Sequence, residues 1–203
     1  MISALLLLTA AVQLACVVLL WTRTTRLARI WLLGVVGLGV AYDSAIIGLG
    51  VVIGEGELLE TLSVGRFVGH ALLTPLLVLW AADRVGAGQR LRWSSVALTA
   101  VLVAWGIFEL PHIDLIPKEY ADTLRYASAD PAPPIVPLVV TVVLLAASIW
   151  LLRRESRWAP LVGTVLLVAA SGAAVAVPPL GNIGEAAMLV GLTAAELPRR
   201  SKK

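Results

Sequence analysis

The sequence predicts an all-α protein: a polytopic integral membrane bundle of seven transmembrane helices, amino terminus outside and carboxyl terminus in the cytoplasm. Three observations predict it. The 203 residues are 59% hydrophobic and only 14% charged, with a mean hydropathy of +0.92, whereas soluble domains carry nearer a quarter charged residues. Seven apolar stretches of about 20 residues, the length that spans a bilayer, use up nearly the whole chain. The connections between them alternate between Arg-rich and acid-rich.

The first stretch, Ile2–Trp21, lacks a basic leading region and a polar cleavage region, and basic residues follow it, so it reads as a retained helix rather than a signal peptide. The second, Ile30–Ile53, is long enough to tilt or to bend at its glycines. Val64–Ala82 and Trp93–Leu110 come next. The proline-rich entry Ser128–Pro137 then leads into Ile135–Leu152. The sixth, Pro160–Val177, carries Gly163, Ala169, Ala170, Gly172 and Ala173, small residues that let helices approach closely. The seventh, Gly181–Leu197, is short and opens on Gly181 and Gly184. A re-entrant or surface helix there would leave six spans. No internal repeat divides the chain, so residues 1–203 are expected to form a single transmembrane helical domain.

Charge orients the bundle. One set of connections holds Arg23, Arg26 and Arg29, then Arg84, Arg90 and Arg92, then Arg153, Arg154 and Arg157, and finally Arg199, Arg200, Lys202 and Lys203. Those are thirteen of the sixteen basic residues, and only Arg66, Lys118 and Arg125 fall on the other side. Basic loops stay in the cytoplasm, which implies a multi-pass protein of the cell's inner (cytoplasmic) membrane. Trp21, Trp31, Trp80, Trp93, Trp150 and Trp158 sit at the same ends, as interfacial anchors do. The net charge of +3 faces anionic lipid and does not point to nucleic acid. A lone Cys16 supports neither a disulfide framework nor a thiolate metal site.

Ionisable residues inside the apolar stretches are costly and mark a cavity or a pathway. Asp43 stands in the second span, flanked by Tyr42 and Ser44, and Glu185 near the start of the seventh, beside Asn182. His70 has Arg66 at i−4 and Thr74 at i+4 on one helical stripe. Glu109 closes the fourth span, with Trp105 a turn deeper and His112 and Asp114 just beyond. Glu55, Glu57 and Glu60 cap the connection after the second span. These groups gather in the outer half of the bundle, while the cytoplasmic halves read as apolar. A one-sided cavity for an apolar or amphiphilic small molecule follows, with membrane lipids as surroundings and a homo-oligomer allowed.

Two carboxyl groups in unlike surroundings divide labour, one delivering a proton and the other receiving it. Asp43 and Glu185 are the leading catalytic candidates, followed by Glu109 and His70 as relay. Trp105, Tyr42, Asn182, His112 and Arg66 are the candidate substrate-binding residues, with the Trp105 ring able to face a cation. No histidine lies in an H-x-x-x-H or H-E-x-x-H pattern, and there is no G-x-S-x-G, Walker or dinucleotide glycine motif. The expectation is therefore a site with no metal and no cofactor.

Asp43 with the acids that follow it, and Glu185 in the last span, give a layout that resembles the small seven-helix membrane terpene cyclases. The resemblance covers chain length, span number and the placement of acids. The P-x-E-(E/D) signature of membrane lycopene cyclases is absent. It implies carboxylates that protonate an epoxide or alkene of a prenylated substrate. The expected function is thus an integral membrane enzyme, a cyclase or isomerase acting on a prenyl, terpenoid or other lipidic substrate. The alternative is a proton-coupled small-molecule transporter or channel in which Asp43 titrates.

Overall fold

The computed structural model describes residues 1–24, 26–130 and 133–198. The basic residues Arg199, Arg200, Lys202 and Lys203 and one proline of the proline-rich entry, Pro131, lie outside the described residues. Each predicted apolar stretch is helical: α1 (Ile2–Arg23), α2 (Leu27–Ile53), α3 (Glu57–Leu73), α4 (Leu76–Arg84), α5 (Gln89–Glu109), α6 (Ile135–Glu155), α7 (Ala159–Ala173) and α8 (Leu180–Glu196).

Length separates these helices into two kinds. Among the described residues, five rods are long and apolar enough to cross a membrane: α1, α2, the continuous pair α3–α4, α5 with the 3-10 turn that follows it, and α6. That is five where the sequence pattern suggests seven. α7 has 15 residues and α8 has 17, short of the roughly 20 that a straight crossing needs. Pro178 and Pro179 explain the shortfall of α7, because neither can donate the amide that would carry the helix onward. The third rod also departs from a plain span. It begins at Glu57, so the acids expected in a loop form a first helical turn, where the helix dipole favours Glu57 and Glu60. It then breaks at Pro75, and i→i+3 bonds from Leu77 to Thr74 and from Val78 to Pro75 bridge the gap.

The all-α bundle carries one short β-hairpin. Strands β1 (Leu115–Tyr120) and β2 (Thr123–Ser128) pair antiparallel through a two-residue turn, with Tyr120 opposite Thr123 and Leu115 opposite Ser128. Leu124 and Tyr126 of β2 pack with Ile46 and Leu59, seating the hairpin on α2 and α3. Asp122 at the hairpin tip accepts the Ile2 amide at 2.7 Å and pairs with the Met1 amino group, so an acid meets the positive end of α1. That amino group, ahead of the backbone amides, holds the Asp122 carboxyl down at about 2.

One continuous core runs through the bundle, from Leu20 and Leu33 through Trp80 and Leu144 to Leu189 and Leu192, all fully buried. Trp80 is therefore no interfacial anchor; its indole donates to Glu196 at 3.1 Å. Trp21, Trp31, Trp93 and Trp158 are exposed on the bundle surface, as anchors should be. Arg23, Arg26, Arg29, Arg84 and Arg157 meet around one hollow, so the arginine-rich connections share one end of the molecule.

α7 and α8 touch almost backbone to backbone. A Cβ at Gly163 would stand 2.5 Å from the Ala187 carbonyl oxygen, and one at Gly191 would stand 2.5 Å from that of Ala159. Gly191→Leu should lower stability by at least about 1–3 kcal/mol, the usual cost of overpacking, read as a drop in thermal midpoint in detergent. Gly172→Ala, with nothing within 4 Å of its added carbon, should hold or raise the midpoint. Equal midpoints for the two variants would contradict this close packing.

Candidate functional site

Asp43, one of the leading sequence candidates, is the hub. It lies in the middle third of α2 and is 4% exposed. Both of its oxygens are engaged. Arg66 of α3 donates Nε–H to Oδ1 at 2.6 Å, and Asn182 of α8 donates Nδ2–H to Oδ2 at 2.5 Å. The His70 Nε2 stands 3.5 Å from Oδ1 and 3.9 Å from Oε1 of Glu185. Asn182 also reaches the Ser44 hydroxyl at 3.3 Å. Arg66 is held in turn by the Tyr126 carbonyl at 3.3 Å, so the hairpin fixes the cation that fixes the acid. Arg125, next to Tyr126 on β2, has its pKa lowered by burial and by the Arg66 charge.

Helical spacing explains the convergence. Arg66 and His70 are four residues apart on α3 and so share a face, as Asn182 and Glu185 do at i, i+3 on α8. The remaining difference lies in satisfaction. Asp43 is fully bonded, whereas Oε2 of Glu185 is buried and has no hydrogen-bond partner. Glu185 lines a cavity of about 90 Å³, together with His70, Thr74, Thr141 and Ser171 on its polar side and aliphatic residues such as Val40 and Leu144 elsewhere. A second cavity of about 120 Å³, lined by Phe67, Glu109 and Pro137 among others, meets the first at His70.

The arrangement sorts the expected residues. Asp43, Glu185, His70, Arg66 and Asn182 come together. Glu109 does not join them; it sits across the second cavity from His70, where it accepts the Trp105 indole at 2.8 Å. Trp105 is 45% exposed on the outside of α5 and lines neither cavity. His112 is exposed in the 3-10 turn and bonds the Phe108 carbonyl, because Pro111 turns the chain away from the bundle. Tyr42 points away from the cavities, its hydroxyl donating to the Leu62 carbonyl. Sequence reasoning missed Thr141 and Ser171, whose one signal is a hydroxyl inside an otherwise aliphatic helix. It also missed the ionic groups at the opposite end, Arg84, Glu155 and Glu196.

Asp43, His70 and Glu185 offer metal-ligand atoms within 4.8 Å of one another. Arg66 and Asn182 already occupy one contact on each Asp43 oxygen, and the arginine sets a positive charge beside the three groups. Comparison with known proteins finds no matching family model, and no curated protein matches the chain.

Breaking a buried ion pair from one side leaves the other charge uncompensated, at a cost of about 3–5 kcal/mol. Asp43→Asn should lose stability on that scale in detergent unfolding, and adding Arg66→Met should recover most of the loss. A single variant as stable as the wild type would remove this pair from its structural role.

Proposed function

We propose that the protein is a multi-pass membrane enzyme that uses Glu185 and His70 for acid–base chemistry on a prenyl, terpenoid or other lipidic chain. The observation that carries this reading is Glu185, which lines a small, largely aliphatic cavity beside His70 and has one buried oxygen with no hydrogen-bond partner among the described residues. Glu185 gives a proton to one carbon of an alkene, which leaves a cation on the other, and His70 takes a proton from the saturated carbon next to that cation. Return of that proton from His70 to Glu185 restores the start, so the double bond moves and nothing else is consumed. Asp43 then orients and compensates, because both its oxygens are already bonded.

Size narrows the reaction. Pockets that enclose small molecules usually exceed about 300 Å³, and the two cavities that meet at His70 are smaller. They take the reacting end of a chain whose remainder lies between α5 and α6, consecutive helices that barely touch. Isomerisation fits this space better than polycyclisation, and no aromatic ring lines the Glu185 cavity to shelter a long-lived carbocation. The layout shared with small membrane terpene cyclases supports the same class of acid-initiated chemistry. Against proton-coupled transport stand the fully buried Leu189 and Leu192. They lie within the eleven-residue interval from Glu185 to Glu196 on α8, about 16 Å along the helix.

Isoprenoid lipids extracted from cells expressing the wild type should contain a species of altered chromatographic retention. Glu185→Gln and His70→Gln should reduce its formation by about 10²- to 10⁴-fold, the usual worth of a positioned acid or base. Identical lipid profiles from wild type and both variants would overturn the enzymatic reading.

The proposed topology has seven crossings, with the short α7 and α8 included, the hairpin outside and the arginine-rich end in the cytoplasm of an inner-membrane protein. Cys16 is buried, so introduced thiols report alone. Glu119→Cys, exposed on β1, should react with an impermeant maleimide on intact cells, and Gln89→Cys, exposed at the start of α5, only after lysis. The opposite pattern would invert the orientation.

A further inference from the structure

At the end of the bundle remote from Glu185, the last turn of α1, the start of α2 and the end of α8 enclose a hollow of about 280 Å³. Five arginines and one glutamate line it. Three of the arginines are committed to the protein. Arg29 bonds Asp83 at 2.5 Å. Arg84 forms a two-pronged pair with Glu155 at 2.6 and 2.7 Å and also reaches the Ala195 carbonyl. Arg157 caps α8 by donating to the carbonyls of Ala194 and Leu197 at 2.9 and 3.1 Å. Glu196, the one acid facing the hollow, already takes Trp80 and Arg84.

Arg23 and Arg26 have no such partner among the described residues, though both line the hollow. Between them the Thr24 hydroxyl is buried and makes no hydrogen bond. Arg26 is also the residue that begins α2, whose first turn has no side-chain cap, so free backbone amides and the helix dipole add to the positive field. Guanidinium groups, a hydroxyl donor and a helix start suit a tetrahedral oxyanion, and a basic pocket between membrane helices is where lipid headgroups settle.

We propose that this hollow binds a phosphate group, with Arg23 and Arg26 taking its charge and Thr24 donating to one oxygen. The phosphate belongs either to the headgroup of a lipid in the adjoining leaflet or to a soluble ion. This site does not depend on the chemistry at Glu185.

The test uses the full chain in detergent, with binding read by native mass spectrometry and by the shift of the thermal midpoint. The probes are short-chain phosphatidic acid, inorganic phosphate, and diacylglycerol as the phosphate-free control. Phosphatidic acid should bind and raise the midpoint, and diacylglycerol should do neither. The variant Arg23→Ala with Arg26→Ala should weaken phosphatidic acid at least about tenfold, as loss of charge-assisted bonds implies. Arg90→Ala, an exposed arginine away from the hollow, should bind as the wild type does. Inorganic phosphate binding as tightly as phosphatidic acid, with the same loss in the double variant, identifies the soluble ion as the source and upholds the site. Should diacylglycerol match phosphatidic acid, or the double variant match the wild type, or no phosphate probe bind at all, the proposal fails. Both arginines are exposed and have no partner among the described residues, so the double variant should fold, and its unliganded midpoint checks this.

Discussion

A charge placed among apolar helices must be matched, and the Arg66–Asp43 pair is how this bundle meets that requirement. Neither side chain is affordable in hydrocarbon without the other. The pair ties α3 to α2 directly, α8 through Asn182, and the hairpin through the Tyr126 carbonyl. It also leaves the site nearly neutral as a whole, so that one further acid and one further base can be held beside it. A proton passed from Glu185 to His70 would leave the total charge unchanged while turning two neutral groups into an ion pair.

The hairpin extends the same logic. Gly50 near the end of α2 is the point of closest approach, since any Cβ there would overlap the Leu124 carbonyl. Leu124 and Tyr126 can then pack against Ile46 and Leu59, and β2 presents a backbone oxygen to Arg66. A guanidinium with five donors is hard to satisfy with one carboxylate, and this carbonyl supplies part of what is left. The connection is thus a structural part of the site rather than a passive link between helices.

Much of the site was legible in the sequence because polar residues in apolar stretches are anomalies. Asp43, His70, Arg66, Asn182 and Glu185 stand out one by one, and the four-residue spacing of Arg66 and His70 places them on a common face. The relative rotation of different helices was not legible. Glu109 and Trp105 satisfy the same test of polarity and depth, yet α5 turns them toward each other and away from Asp43. The hairpin was hidden for a different reason: its strands are six residues each, and β1 contains a proline, so alternation had little length in which to show. Trp80 looked like an interfacial anchor because its distance from the arginines is right. Only tertiary contact reveals that Glu196, in the last turn of α8, draws the indole inward.

The two ends of the bundle solve opposite problems. At one end a surplus of arginine is partly offset by Asp83, Glu155 and Glu196, and two of the arginines lining the hollow have no partner among the described residues; at the other, the acids lead and one carboxylate oxygen is left over. Fully buried Leu33, Leu144, Leu189 and Leu192 separate them. At an interior dielectric an unscreened charge is felt across many ångströms, so a leftover acid and leftover cations in contact would neutralise each other. Holding them apart with solid aliphatic packing preserves both.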